Sequence, residues 1–378
     1  MDGASLVSQQ TANEPQDTFD FGRTDCEIAR LDRHISNLLA FRAYICRPRN
    51  RHICINRLPF EVLAEIFLLS SMARRLEEGQ EQPTVFPLTL GSICHRWRCV
   101  AWASSELWAS LHCRISKARY NVQVSLLREW LERSQERLLS ICISIKDEDT
   151  WVESNDLSTA ILDILIPHSE RWEYLGLVLP GAWYRKLNQA QGRVPNLISL
   201  AIRPPGCKSP LLPFRAFAHA TSIRHLFAAY YHLANIHLRW DLLETVILEN
   251  LTTKEAVEII RRCRNLTSCR LNGLGAVENF LPSMSTNHSL KILELSLNEM
   301  AGIQGFLNFL VLPGLCVLAM TLPEGHVFPI PAIEALMARS ACPLKVLEIN
   351  GVDIHQADLI DFLSSHDSLT TIRVSLRT

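Results

Sequence analysis

A six-residue pattern, L-x-x-L-x-L with other apolar residues at some of the leucine positions, recurs ten times after Tyr120. After a first interval of 34 residues, successive copies begin 20 to 29 residues apart. The alternation of apolar residues predicts short strands that each bury one face. No single copy can bury that face alone, so the copies must stack side by side. They begin at Leu138, Trp172, Leu197, Ile223, Leu243, Leu266, Leu290, Leu315, Leu344 and Leu369.

Helix-forming segments precede several of these predicted strands, at Thr253–Cys263, Pro331–Cys342 and His355–His366. Repeats of helix, turn and strand with a period of 20–29 residues resemble leucine-rich repeats, although the regular asparagine of sharper members is missing. Residues 116–378 are therefore predicted to form an α/β leucine-rich-repeat-like solenoid. The alternative is a doubly wound α/β sheet, whose nucleotide-binding forms carry a glycine-rich turn. The chain has no GxGxxG or GxxxxGK[ST] sequence, and Asn272–Phe280 lacks the spacing.

The repeat predicts a concave surface that faces away from the core. In each copy the leucines point inward, and their neighbours point outward by the period of two. These outward residues are of mixed charge, which fits a protein-binding surface as well as an ordinary solvated face. The candidate target-binding residues are His225, Phe227, Arg270, Asn272, Glu294, Glu348, Asn350 and Arg373, with Ser296 and Ser375 beside them.

The chain begins with a predicted disordered tail, residues 1–22, and a helix in residues 23–54. Thr24 can cap this helix, because Glu27 lies three residues later as in a capping box. Its apolar residues follow a heptad seam that Arg42 interrupts, and Pro48 is expected to end it near Cys46. The seam is consistent with a short coiled coil or with a helix packed on its own domain. The seam residues are Ile28, Leu31, Ile35, Leu38 and Ile45. The basic run Arg47–His52 reads as a linker, with nuclear import or phosphate contact as alternatives.

A compact helical unit is predicted in residues 55–115. Pro59 suits the first turn of a helix, and Glu61 complements its N-terminal dipole. Ala73–Pro83 reads as a loop, and a second helix runs from Leu88 to about Ala101. A unit this small has little core of its own, so its apolar surface predicts a partner.

The same unit resembles the F-box of proteins abundant in mushroom-forming fungi. The stretch "LPFEVLAEIF" is followed in order by a Cys-x-x-Trp segment and a terminal Leu-Trp pair. The loop from Ser70 to Phe86 is longer than in the compact form. The resemblance implies docking to a Skp-family adaptor of a cullin–RING ubiquitin ligase, with the repeat holding a target protein. The implied adaptor-binding residues are Leu58, Pro59, Val62, Leu63, Ile66, Phe67, Leu90, Ile93, Cys94, Trp97, Leu107 and Trp108.

Composition argues against several classes of function. A formal net charge of −1 argues against electrostatic binding of nucleic acid or anionic membrane by the protein as a whole. The longest apolar run, Gly305–Leu322, is broken by Pro313 and Gly314 and falls short of the ~20 residues of a membrane span. The first residues lack the pattern of a signal peptide. We expect a cytoplasmic or nuclear protein.

No catalytic or metal-binding constellation stands out. The twelve cysteines include no CxxC pair. His95 beside Cys94, near Cys99, is the one Cys/His cluster, and it falls on the apolar face of a predicted helix. The carboxylates of Asp147–Asp149 lie in a polar loop. We therefore predict a protein that is not an enzyme and holds no cofactor or metal. The rival hypothesis is a repeat scaffold that delivers no substrate for ubiquitination.

Overall fold

The computed structural model describes residues 21–77, 86–152, 158–207, 213–275, 284–297, 303–323, 329–351, 360–362, 364–366 and 368–375. The protein combines an N-terminal helix, a block of short helices and an α/β repeat with a parallel sheet. Across these residues, no helix has the length and apolar character needed to cross a membrane. All of the predicted tail up to residue 20 lies outside the described residues.

The N-terminal helix, α1 (Phe21–Arg51), is longer than predicted at both ends. It begins three residues before Thr24, so Thr24 is not its cap. It also continues through Pro48, and the basic run that was read as a linker forms its last turn. A proline near the end of a helix removes only its own N–H, so the turn around it persists. None of the residues of α1 is buried.

The helical block, residues 55–108, contains four helices that follow a short 3-10 turn at Cys54–Arg57. They are α2 (Phe60–Glu77), α3 (Phe86–Ile93), α4 (His95–Ala103) and α5 (Ser105–Trp108).

Two predictions for the helical block are wrong. The loop was placed from Ala73, but α2 continues to Glu77, because the Ala-Arg-Arg-Leu-Glu segment consists of strong helix formers. The second helix was predicted to be continuous, but it is broken at Cys94. Cys94 has extended backbone angles, and its Sγ accepts the Trp97 amide proton at 3.5 Å. The thiol thus caps a new helix instead of lying on the face of the first.

Eleven parallel strands form a single sheet in the order β1-β2-β3-β4-β5-β6-β7-β9-β11-β12-β13, and β8 and β10 pair separately. The ten predicted strands coincide with β2–β7, β9 and β11–β13. The strands of the main sheet are β1 (Ser110–Ile115), β2 (Leu139–Ile145), β3 (Trp172–Val178), β4 (Ser199–Arg203), β5 (His225–Ala229), β6 (Thr245–Glu249), β7 (Ser268–Leu274), β9 (Ile292–Leu297), β11 (Val317–Thr321), β12 (Val346–Asn350) and β13 (Thr371–Ser375). The separate pair is β8 (Ser285–Thr286) and β10 (Leu310–Val311).

The first strand was missed by the sequence pattern. β1 pairs in parallel with β2 along its whole length. The predicted boundary at residue 115 therefore cuts the sheet, and the helical block ends at Trp108. The segment carries the motif in a degenerate form, with Trp108, Leu111 and Cys113 at its three apolar positions and leucine only at the second. In the first recognised copy the leading position was misassigned, because Leu138 is exposed and Leu139 is buried, whereas Ile141 and Ile143 are buried as predicted.

The register of the parallel strands places equivalent buried residues of successive repeats side by side across the sheet. Leu200, Leu226, Val246, Cys269 and Leu293 lie in adjacent positions of neighbouring strands, and each is buried. The buried side chains of the strands form one cluster with those of the covering helices. The apolar repeat is thus satisfied by stacking, as a solenoid requires.

In the described residues, the layer that covers the sheet combines helices with short 3-10 turns. The predicted helices at residues 253–263 and 331–342 are present, and Thr252 and Glu255 form a capping box at the first of them. The third predicted helix lies partly outside the described residues. Several other copies use short 3-10 turns instead. The helices are α6 (Tyr120–Arg133), α7 (Glu148–Val152), α8 (Ala160–Leu165), α9 (Trp183–Leu187), α10 (Thr253–Arg262), α11 (Ile303–Asn308) and α12 (Ile330–Ser340).

Candidate functional site

Five of the twelve predicted adaptor-binding side chains lie inside the helical block. Phe67 packs against the half-buried Trp97, with ring centroids 4.8 Å apart. Because these five are at most 5% exposed, they support the surface of the block from inside and offer a partner almost no area. They are Leu63, Phe67, Leu90, Leu107 and Trp108.

Helix α2 carries an exposed apolar stripe on its other face. Val62, Ile66 and Leu69 follow one another at spacings of four and three, so they lie together on the helix surface. Pro59 and Ile93 are also exposed, and Leu58, Cys94 and Trp97 are half-buried. We call Val62, Ile66 and Leu69 the stripe. With Pro59 and Ile93 it is the apolar surface of the helical block that is open to a partner. Leu69 was not among the predicted site residues.

A small polar network fixes the entry to the helical block. The indole Nε1–H of Trp97 donates to Oδ1 of Asn56 at 2.8 Å. The Asn56 amide donates in turn to the carbonyl oxygen of Asn50, also at 2.8 Å. Arg96 donates to the carbonyl oxygen of Leu58. These bonds tie the last turn of α1 and the Leu-Pro segment to α4. Sequence reasoning missed Asn56, because a polar residue in a short turn carries no periodic signal.

Burial makes two of the cysteine thiols less acidic than usual. Burial raises the pKa of the Cys113 thiol to about 11 and that of Cys263 to about 12, so both stay protonated at neutral pH. The exposed Cys99 lies 3.6 Å from Nδ1 of His95, one helical turn away. In the part of the chain that the structure describes, no three His, Cys, Asp or Glu side chains cluster as metal ligands would.

Aromatic rings in edge-to-face contact join the helical block to the sheet, and we call Trp102, Trp108, Trp130 and Arg133 the junction. The ring of Trp108 lies between those of Trp102 and Trp130, at 5.2 and 4.8 Å. The Arg133 guanidinium covers two of the rings at about 5 Å. The Trp130 indole donates to the carbonyl oxygen of Trp108 at 2.7 Å. Because Trp102 fills the space beside Gly91, a Cβ at that glycine would lie 2.1 Å from the ring.

The open face of the sheet is formed by the side chains that point away from the buried cluster. All eight predicted target-binding residues lie on it and are exposed or half-buried. One residue from each of ten successive strands lines up in register along its middle. This middle row is Cys142, Gly176, Ala201, Phe227, Ile247, Arg270, Glu294, Ala319, Glu348 and Arg373.

Charges in the C-terminal half of the middle row pair with one another. Nε of Arg270 donates to Oε2 of Glu294 at 2.6 Å. Arg373 forms an ion pair with Glu348 on the next strand. These predicted target contacts therefore already satisfy one another, as opposite charges on adjacent strands do.

The N-terminal half of the open face contains an apolar cavity of about 360 Å³. Gly176 and Ala201 leave space in the middle row, between Tyr174 on one side and Phe227 and Ile247 on the other. A Cβ at Gly176 would lie 3.2 Å from both Cys142 Sγ and the Tyr174 hydroxyl. Of these residues only Phe227 was predicted. The missed signal was a pair of small residues at outward positions of consecutive motif copies.

Arg203 and His225 lie at the polar edge of this cavity. Nη1 of Arg203 donates to Oε2 of Glu148 in α7 at 3.1 Å, and the Gly206 amide donates to the same oxygen at 2.8 Å. Burial by itself raises the pKa of Glu148, but these hydrogen bonds and the nearby charges of Arg203 and Arg114 outweigh it. The pKa is therefore lowered overall. The ion pair anchors α7 beside the cavity.

Comparison with known proteins gives no family assignment. No protein-family model and no curated protein matches the chain. Among solved structures, the crystal structure of the Rad7 and Elc1 complex in yeast is similar, at 14% sequence identity. The match covers 90% of this chain and 96% of that chain, with a TM-score of 0.33. A likeness at this TM-score carries no inference about function.

Proposed function

We propose that the chain is the substrate-recognition subunit of an SCF-type E3 ubiquitin ligase. In this proposal the helical block is an F-box that docks a Skp-family adaptor, and the leucine-rich-repeat-like sheet holds a target protein. The adaptor links the chain to a cullin–RING assembly, in the cytoplasm or the nucleus.

One observation carries the proposal. The motif that resembles an F-box forms a helical block whose α2 exposes the Val62–Ile66–Leu69 stripe, backed by the buried Leu63 and Phe67. Apolar side chains that a rigid helix holds on its surface can be buried against a partner and serve as anchors of the interface. Two of the three stripe residues belong to the predicted adaptor site.

The target arm of the proposal rests on the open face of the sheet. An extended surface with an apolar cavity suits a protein segment that inserts a nonpolar side chain. The chain's own part in the reaction is positional: it brings the target near a separate enzyme, which forms the new bond. No group of this chain takes part in chemistry under this proposal.

Adaptor binding is the direct test, measured by calorimetry with the full chain and a purified Skp-family adaptor. We expect Val62→Ala with Ile66→Ala to weaken binding by about 2 kcal/mol, roughly 30-fold, because truncated anchors dominate such interfaces. A matched control exists on α6, where Val122 and Leu126 have the same spacing and are also exposed. Val122→Ala with Leu126→Ala should leave the affinity unchanged.

Three results would count against the proposal. Failure of the folded wild-type chain to bind any Skp-family adaptor would remove its basis. Equal losses in the α2 and α6 double variants would show that the stripe is not the interface. If the chain binds the adaptor but supports no ubiquitination in a reconstituted ligase, the scaffold hypothesis replaces it.

A further inference from the structure

Helix α1 exposes a heptad seam, interrupted at Arg42, that the rest of the described chain leaves uncovered. The seam residues are each at least 50% exposed: Ile28, Leu31, Ile35, Leu38 and Ile45. Of the two interpretations of the sequence, the helix packed on its own domain is wrong for these residues, because none of α1 is buried. Most of the stability of a helix in a protein comes from packing of its apolar face. We therefore expect a partner helix to cover the seam.

The composition of the seam fits a second copy of the same helix. In heptad notation Ile28 and Ile35 occupy a positions, and Leu31 and Leu38 occupy d positions. The alternating spacing of three and four is that of helices that pair by knobs-into-holes packing. The 31 residues of α1 give the pair a length of about 46 Å.

The charges of α1 decide the direction of that pair. Arg42 and Arg49 also occupy a positions. In a parallel pair each would face its own copy across the seam, and like charges would meet at two layers. Neither Arg42 nor Asp32 has a charged partner within the described single chain.

An antiparallel pair of nearly full overlap removes this conflict. With Ile28 opposite Ile45 of the second copy, Arg42 lies opposite the second copy's Leu31 and next to its Asp32. Arg49 then lies opposite Thr24 and next to Asp25. Both arginines at a positions meet an aspartate at an e position, and the two-fold axis doubles each contact.

We propose that α1 forms an antiparallel two-stranded coiled coil in a homodimer of this chain. Arg42 and Arg49 of each copy pair with Asp32 and Asp25 of the other. The two helical blocks then lie at opposite ends of the coiled coil, so one dimer presents two separate binding units. This inference does not depend on the proposed ligase function.

The test begins with the molar mass of the full chain in solution, by sedimentation equilibrium. A dimer has twice the monomer mass of 42.9 kDa. Ile35→Asp with Leu38→Asp should yield monomer, because carboxylates of the two copies would face one another in the seam without a cationic partner. The control Val122→Asp with Leu126→Asp, on the exposed face of α6, should stay dimeric. A monomeric wild-type chain, or a dimer that survives the seam variant, overturns the proposal.

Charge exchange tests the direction. Asp32→Arg and Arg42→Asp should each raise the dimer dissociation constant about tenfold, because each puts like charges side by side. The two changes together restore the pair in reverse, so the dissociation constant should return to within about threefold of wild type. Circular dichroism checks that each variant keeps its helix content. A double variant that remains weak contradicts the antiparallel arrangement.

Discussion

The two halves of the open face are built on the same strand register but carry opposite chemistry. From β2 to β6 the middle row is small or apolar and encloses the cavity. From β7 to β13 the same row is mostly charged, and its charges pair between neighbouring strands. A side chain of a target gains free energy by filling the apolar half. In the charged half it must first compete with ion pairs that are already made.

This difference indicates which half of the open face is better suited to bind a target. The target-binding face was predicted from the outward positions of the repeat, and six of its eight residues lie in the C-terminal half. Side chains that already form ion pairs give a well-solvated surface, but they gain little free energy from contact with a target. Unfilled space next to aromatic side chains is the better indicator of a site.

The largest effect is expected from filling the cavity. Ala201→Trp should weaken the binding of a peptide selected against the full chain from a random library by at least about tenfold, or about 1.4 kcal/mol. The indole would occupy the space that the peptide side chain needs. Calorimetry with the selected peptide measures the loss.

Ala319 supplies the matched control for that experiment, because it lies in the same row of the other half, between Glu294 and Glu348. Ala319→Trp should change the affinity less than about twofold. If the control weakens binding as much as Ala201→Trp does, the comparison between the halves is broken.

A smaller effect is expected at the ion pair beside the cavity. Glu148→Gln should lower the free energy of unfolding by about 1 kcal/mol, since it weakens the hydrogen bonds from Arg203 and the Gly206 amide. The pKa of Glu148 is lowered in the folded state, so its contribution is present above the usual value of 4.5. It is lost as the pH falls through the lower folded-state pKa.

Urea unfolding at several pH values measures this contribution. The difference between wild type and Glu148→Gln should be constant from about pH 7 to 5 and shrink towards lower pH. A difference that grows on acidification would contradict the lowered pKa.

The smallest effect is expected in the charged half. Glu294→Gln breaks the pair with Arg270, whose side chain is 48% exposed. We expect a loss of less than about 0.5 kcal/mol in the same urea experiment, because solvent screens such pairs. Glu348→Gln, which removes the ion-pair partner of Arg373, should cause an equally small loss in the free energy of unfolding. A loss above about 1 kcal/mol in either variant would mean that these pairs hold the sheet together.

Periodicity predicted most of the sheet. The alternation of large apolar residues located ten of its eleven strands, because burial on one face leaves a period of two in the sequence. β1 was not found, since its copy of the motif has Trp108 and Cys113 at the first and third apolar positions and keeps only one leucine. The extent of α1 and the break at Cys94 depend on local backbone geometry, which no apolar spacing encodes.

The sites were less predictable from sequence than the fold. A buried Phe67 and an exposed Ile66 look alike in a motif, although only one of them can contact a partner. The cavity arises from missing side chains at Gly176 and Ala201, whose proximity depends on the register of β3 and β4. A binding site made of empty space leaves almost no trace in a linear sequence.

The junction has a consequence for which lysines of a bound target can be modified under the proposed function. A flexible linker would let a target swing through many orientations and expose many of its lysines to the ligase. Here α5 and β1 are separated by Ala109 alone, and the Trp108 ring is held between two others. The junction therefore holds the sheet at a fixed distance and angle from the helical block. Which lysine comes within reach is then decided by how the target sits on the sheet, and not by chain entropy.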